Sequence, residues 1–173
     1  MSRSFTDFDL DTAPAAAREV LAENQKKFGK IPSPLARLAA SPVALGAALS
    51  GLSAFEESGL TRLEREVLAL TMGHRNGCHW CVALHTRLLK QLDPPAGLAD
   101  ALAEGKPLAE PRLEAVRAFT LALLERTGDV SDDAWQQFLG AGFDRARALE
   151  VVVGVAAYTL TTFANRLTEA PLA

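Results

Sequence analysis

Helix-start signals recur along the chain and constrain it to an all-α fold. Ser41-Pro42 provides an N-cap followed by proline at the first helical position, and Ser131-Asp132-Asp133 caps a second helix. Thr61-Arg62-Leu63-Glu64 is a capping box. Between these signals, apolar residues recur at helical spacing, and no alternating β-branched run with hairpin turns is found. The sequence therefore predicts helices throughout and a β content near zero.

A single domain is expected, because 173 residues can bury about 70% of their extended surface. Proline and glycine divide the apolar pattern, and Ile31-Pro32-Ser33-Pro34 is interpreted as a rigid connector. The predicted helices cover about 14–28, 42–58, 62–74, 78–91, 98–104, 111–126, 132–140 and 144–166.

Composition and charge exclude several classes of protein. With 49% hydrophobic and 23% charged residues, the chain is globular rather than disordered. Its net charge of -3 offers no electrostatic footprint for nucleic acid. Residues 1–7 lack the apolar core of a signal peptide, and the apolar stretch 151–163 is too short to span a bilayer. We expect a cytoplasmic protein with a buried helix at 151–163 and no membrane or nucleic-acid partner.

Both cysteines and two of the three histidines lie between residues 78 and 85. Asn76-Gly77 predicts a turn, followed by a helix that opens near Cys78. On that helix Cys78, Cys81 and His85 share one face, and the two cysteine Cα atoms are roughly 5 Å apart, as a disulfide requires. The helix N-terminus favours a thiolate over a thiol. A disulfide between cysteines so close in sequence would constrain almost none of the fold. The pattern therefore indicates dithiol redox chemistry.

Two other interpretations compete with redox chemistry. Structural zinc could use Cys78, Cys81 and His85, with His74 or His79 as the fourth ligand, but no second Cys/His pair exists. The cysteines could also be buried and inert. Haem attachment is excluded, because Val82 stands where that motif needs histidine. Redox chemistry is favoured, with no metal and no cofactor.

The spacing Glu66…Cys78-x-x-Cys81-x-x-x-His85 carries a family resemblance. With its flanking segments, it resembles the alkylhydroperoxidase D-like branch of the carboxymuconolactone decarboxylase superfamily. The resemblance covers about residues 28–168 of a domain spanning 1–173, and its supporting segments are Gly29-Lys30-Ile31-Pro32, residues 65–70, Thr86-Arg87, Tyr158-Thr159-Leu160 and Asn165-Arg166-Leu167. It implies an all-α helical bundle and a homo-oligomer (a trimer, a dimer of trimers or a dimer).

The resemblance also implies an activity and roles for four residues. It implies thiol-dependent peroxide reduction, in which Cys81 attacks the peroxide, Cys78 resolves the product, and Glu66 and His85 deprotonate Cys81 and shuttle the proton. The sequence departs from the pattern at Trp80, where the best-studied member has a relay histidine. The cysteine pair argues against the decarboxylase branch, which uses none.

The expected partners are a small hydroperoxide and an external dithiol, either a lipoyl group or a thioredoxin-like protein. A disulfide reductase that serves a partner peroxidase is an alternative, as is a non-enzymatic redox sensor. Tyr158 and Asn165 lie on an apolar helix, where polar groups need partners, and we interpret both as hydrogen-bonding residues of the core.

Overall fold

The structure is a computed structural model that describes residues 5–172, and these residues form nine α-helices and no strand. The all-α prediction is confirmed. The helices are α1 (Ala15–Phe28), α2 (Ser33–Leu38), α3 (Pro42–Glu56), α4 (Arg62–Arg75), α5 (His79–Lys90), α6 (Leu98–Ala103), α7 (Pro111–Glu125), α8 (Asp132–Gly140) and α9 (Arg145–Leu167).

The predicted capping residues begin their helices. The Ser41 hydroxyl accepts a hydrogen bond from the backbone N–H of Ala44. Thr61 and Glu64 form the reciprocal capping box, in which the Glu64 carboxylate accepts the Thr61 N–H at 2.7 Å. These contacts satisfy N–H groups that a helix start otherwise leaves without partners.

The segment predicted as a rigid connector differs from the prediction, because it contains the start of a short helix. Pro32 is the N-cap of α2, and Pro34 lies in its first turn. Proline is compatible with a first helical turn, where the missing N–H would have no intrahelical acceptor. Two nearby prolines therefore opened a helix here rather than preventing one.

Helices α4 and α9 form the centre of the bundle. Helix α4 packs against α5, α7 and α9, while α9 also packs against α3. Burial of Val67, Leu68, Met72 and Val151 is complete at this centre. Helices α4 and α9, which both carry residues of the site described below, thus lie at the buried centre of the bundle.

A glycine sets the approach of α9 to its neighbours. A Cβ atom on Gly154 would lie 2.6 Å from the Phe55 ring and 2.9 Å from the Leu68 side chain. Real Cβ atoms do not approach other atoms so closely, so α9 reaches α3 and α4 here only through a residue with no side chain.

Helix α9 is also the one helix, among the described residues, with the length and apolar composition of a membrane span. Val151, Ala157 and Tyr158 are buried within the bundle, as expected for a core helix. Its opposite side exposes large apolar side chains, namely Leu149, Val152, Val153, Phe163 and Leu167, which we call the outer α9 face. The helix is a core element on one side and apolar surface on the other.

Candidate redox site

A tight helical hairpin of α4 and α5 positions the two cysteines. Helix α4 ends at Arg75, and Gly77 takes a φ of 63°, a left-handed conformation that suits glycine. The backbone N–H of Cys78 then donates to the carbonyl of Gly73 at 2.9 Å, which closes the turn. Helix α5 consequently runs back along α4, as the Asn76-Gly77 pattern predicts.

Cys78 and Cys81 are joined by a disulfide, with their Cα atoms 5.4 Å apart. Cys78 is the N-cap of α5, and its Sγ accepts a hydrogen bond from the backbone N–H of Cys81 at 3.3 Å. Both residues are buried, with 2% and 4% of their surfaces exposed. With Cys78 at the N-cap and Cys81 in the first turn of α5, the i, i+3 spacing brings the two sulfurs together.

Glu66 and His85 meet beside the cysteine helix. Glu66 lies on α4 and His85 on α5, and the carboxylate Oε2 is 2.8 Å from the imidazole Nδ1. Both side chains are buried, where a carboxylate without a hydrogen-bond donor would be costly. A carboxylate accepts the Nδ1 proton, which fixes the tautomer and leaves Nε2 free to exchange a proton.

Tyr158 closes this site from α9. Its ring packs edge-on against His85, with the ring centroids 5.2 Å apart, and also against Phe55. Burial, followed by the negative charge of Glu66, raises the pKa of Tyr158 far above its usual value. The phenol consequently stays protonated while it packs against the imidazole.

Asn165 completes the surroundings of the sulfurs. Its side-chain Nδ2 lies 3.4 Å from Cys81 Sγ and 3.7 Å from Cys78 Sγ, and the residue is buried. One turn before Asn165, the Thr162 hydroxyl accepts a hydrogen bond from the Asn76 side chain. The next residue after Asn165, Arg166, donates to the Asn76 carbonyl. The last turns of α9 therefore hold both the disulfide and the turn that precedes it.

No metal-ligand cluster accompanies these groups in residues 5–172, where no three His, Cys, Asp or Glu side chains are arranged to hold an ion. His79 is exposed at the start of α5. His74 lines a separate cavity with Arg75, Leu102 and Arg117, where burial lowers its pKa. Neither histidine is placed as the fourth ligand that the zinc interpretation requires.

Comparisons with known proteins agree with this architecture. Residues 43–122, from α3 into α7, match the model of the carboxymuconolactone decarboxylase family. A solved structure from Ralstonia eutropha JMP134, described as an alkylhydroperoxidase AhpD core and uncharacterized peroxidase-related protein, has a TM-score of 0.84 at 22% identity. The match covers 98% of this chain and 91% of that one. The chain therefore has the alkylhydroperoxidase D-like fold, and its residues 43–122 match the carboxymuconolactone decarboxylase family.

Two further solved structures share the alkylhydroperoxidase D-like fold. An uncharacterized peroxidase-related protein from Silicibacter sp. TM1040 gives a TM-score of 0.78 at 20% identity, over 99% of this chain and 92% of that one. A protein of unknown function from Agrobacterium tumefaciens gives 0.62 at 18% identity, over 76% and 90%. No curated protein matches the sequence.

The structure pairs the four residues predicted from the sequence two by two, Cys78 with Cys81 and Glu66 with His85, and adds two residues that were missed. Glu66, Cys78, Cys81 and His85 share one buried region of α4 and α5. Sequence reasoning assigned Tyr158 and Asn165 to the core and not to this site. The available signal was a polar stripe on the apolar helix α9, because Tyr158, Thr162 and Asn165 recur at helical spacing.

Proposed function

We propose that this protein is a thiol-dependent peroxidase that reduces hydroperoxides through Cys78 and Cys81. The observation that carries the proposal is the disulfide-forming pair beside a buried His85–Glu66 hydrogen bond of 2.8 Å. A peroxide bond breaks readily when the attacking sulfur is ionised and the departing oxygen receives a proton. The peroxidase-related description of the similar solved structures supports the same activity.

The proposed cycle has three balanced steps. The Cys81 thiolate attacks one oxygen of the hydroperoxide, and a proton relayed through His85 and Glu66 converts the departing alkoxide to an alcohol. Cys81 is then a sulfenic acid, and the Cys78 thiol condenses with it to give the disulfide and water. An external dithiol, either a lipoyl group or a thioredoxin-like protein, reduces the disulfide and is itself oxidised to a disulfide.

One observation favours a second candidate function, a disulfide reductase for a partner peroxidase. Trp80, adjacent to Cys81, is half-buried and carries an indole, which cannot relay a proton at neutral pH as the histidine of the best-studied member does. A reductase would exchange its disulfide with a partner without needing that relay.

Stopped-flow oxidation of the reduced protein separates these functions. Hydrogen peroxide and an organic hydroperoxide are mixed with the protein, each with and without dihydrolipoamide. A peroxidase oxidises rapidly and turns over continuously with dihydrolipoamide. A redox sensor oxidises once and stops. A reductase leaves peroxide largely untouched but exchanges readily with a disulfide substrate, and that result would overturn the peroxidase proposal.

We also propose that the protein acts as a cytoplasmic homo-oligomer. The outer α9 face supports this, because Leu149, Phe163 and Leu167 are each more than half exposed. A contiguous apolar surface on a protein in water is commonly an interaction surface. A second copy of the chain presents the same face, so the pairing would be self-complementary.

A further inference from the structure

We propose that Asn165 is a catalytic residue that donates a hydrogen bond to the thiolate of the reduced cysteine pair. The inference rests on the thiol redox function proposed above and assigns one group of its active site. Within the described residues, Asn165 is the residue whose side chain hydrogen-bonds to the sulfurs. Its Nδ2 lies 3.4 Å from Cys81 Sγ and 3.7 Å from Cys78 Sγ. A thiolate only accepts hydrogen bonds, so the amide is favoured with its NH₂ group toward the sulfur.

The donor is held in place before any reaction begins. Asn165 is buried on the long helix α9. Its neighbours on that helix, Thr162 and Arg166, both hydrogen-bond to Asn76, which precedes Cys78. Thr162 is 2.9 Å from the Asn76 amide, and Arg166 is 2.7 Å from the Asn76 carbonyl. A donor held this firmly stabilises developing charge without reorganising, which is the condition for efficient electrostatic stabilisation.

Asn165 reaches both sulfurs, but only Cys78 also receives a backbone donor in the structure. Cys78, at the N-cap, receives the backbone N–H of Cys81 and the positive end of the α5 dipole. Cys81 lies inside the first turn, and its side-chain donor is Asn165, at the shorter of the two Asn165 distances. Asn165 thus supplies to Cys81 what the helix start supplies to Cys78.

The contribution of Asn165 grows when the disulfide is reduced. The external dithiol supplies two electrons, and one proton then suffices if one sulfur remains a thiolate and the other becomes a thiol. A disulfide sulfur accepts hydrogen bonds weakly, whereas a thiolate accepts them strongly. Asn165 therefore lowers the pKa of the thiol that ionises and makes the disulfide easier to reduce.

Thiolate titration tests this directly. The ultraviolet absorbance of the reduced protein is followed against pH for the wild type, Asn165→Leu and Asn165→Asp. Leucine keeps the size but removes the donor, and we expect the thiol pKa to rise by about one unit. Aspartate adds a negative charge beside the sulfur and should raise the pKa further. An Asn165→Leu protein that titrates like the wild type would overturn the proposal.

A matched control separates the donor from the packing of α9. Thr161→Val removes a buried hydroxyl of α9 that bonds to the Ala157 carbonyl and not to Asn76 or a sulfur, so its thiol pKa should equal that of the wild type. The titratable or charged groups that the packed elements place around the site, namely Glu66, His85, Tyr158 and Arg166, are the same in every variant. An equal pKa rise in Thr161→Val would assign the effect to packing and reject Asn165 as the donor.

The unmodified protein provides a second measurement if the leucine variant does not fold. The side-chain amide resonances of Asn165 should shift with pH along the same curve as thiolate absorbance, and no such shift should occur in the disulfide form. Asn165 amide resonances that do not shift as the thiol ionises would overturn the inference. Peroxide turnover is measured separately. If the protein does not turn over peroxide but shows the expected pKa changes, the proposed function is rejected and Asn165 is still the donor to the thiolate.

Discussion

The buried Glu66–His85 pair is the feature that most distinguishes this site from two neighbouring cysteines on an ordinary helix. Hydrogen bonding to Glu66 orients the imidazole and gives it a carboxylate through which a proton can be returned. Asn165 contacts the sulfurs from a third helix, α9. In the proposed mechanism, α4 and α5 therefore supply the acid–base pair, and α9 supplies the donor to the thiolate.

Glu66→Gln keeps the shape of the side chain and removes its basicity. We expect peroxide-driven oxidation of the reduced protein to slow at least about tenfold, in line with general-base contributions. Stopped-flow measurement over a range of pH values gives the rate. Glu64→Gln is the control, because Glu64 is also buried on α4 but bonds to Thr61 and Arg112 and should affect only stability. Equal oxidation rates in wild type and Glu66→Gln would remove Glu66 from the mechanism.

The two cysteines should be chemically unequal. If Cys81 attacks the peroxide, Cys78→Ser still forms a sulfenic acid that dimedone traps, whereas Cys81→Ser does not. The α5 dipole favours Cys78 as the thiolate, while Asn165 and the nearby His85 favour Cys81. Mass spectrometry after peroxide and dimedone decides between them. Labelling confined to Cys81→Ser would make Cys78 the attacking residue.

Helix α9 joins the site to the core, and its packing depends on small residues as well as large ones. Gly154 lets it approach Phe55 and Leu68, while Thr162, Asn165 and Arg166 reach the cysteine turn. The capping signals predicted where most helices begin, because caps depend on neighbouring residues. They could not predict that α9 would lie against the α4–α5 turn, because that contact joins residues far apart in sequence.

Gly154→Ala should destabilise the protein although alanine favours helices. The new methyl group would lie 2.6 Å from the Phe55 ring, and such overpacking costs about 1–3 kcal/mol of unfolding free energy. The matched control is Gly46→Ala on α3, where an added Cβ meets nothing within 4 Å. That variant should gain about 0.5–1 kcal/mol from helix propensity. Urea unfolding of both variants measures the difference, and a Gly154→Ala protein as stable as Gly46→Ala would contradict this packing.

The first turn of α7 should make stability depend on pH. Burial raises the pKa of Glu114, but hydrogen bonds from Arg117 and the Leu108 N–H, with the Arg117 charge, outweigh burial and lower it below 4.5. A carboxyl whose folded pKa is lowered stabilises the protein above its unfolded pKa and loses that contribution as pH falls. The advantage of wild type over Glu114→Gln should therefore shrink below pH 4.5 in urea unfolding. An advantage that is constant with pH, or unaffected by Arg117→Gln, would contradict the expected linkage.

At the scale of the whole molecule, the exposed apolar side of α9 supports the homo-oligomer proposed above. The inner side of α9 packs in the bundle, and the outer α9 face leaves Leu149, Val152, Phe163 and Leu167 in water. An isolated subunit would expose this apolar area at a cost that association removes.

Phe163→Glu should dissociate the proposed oligomer. Placing a charge in a buried apolar interface is strongly unfavourable, so light scattering should give a mass nearer 18.5 kDa than the wild type gives. Gln136→Glu adds the same charge on the exposed side of α8 and should leave the mass unchanged. A wild-type mass of 18.5 kDa would itself reject the oligomer.

Local sequence was sufficient for the helices, most of their ends and the cysteine pair. Caps, helical periodicity and the Asn76-Gly77 turn act over a few residues, so they could be identified before folding, with α2 as the exception. The partners of those elements depended on packing between distant residues. Asn165 lies 84 residues from Cys81 and bonds to it only because Gly154 and the core seat α9 against the α4–α5 hairpin. Periodicity identifies the face of a helix that is buried, but it contains no information about which distant side chain that face will meet.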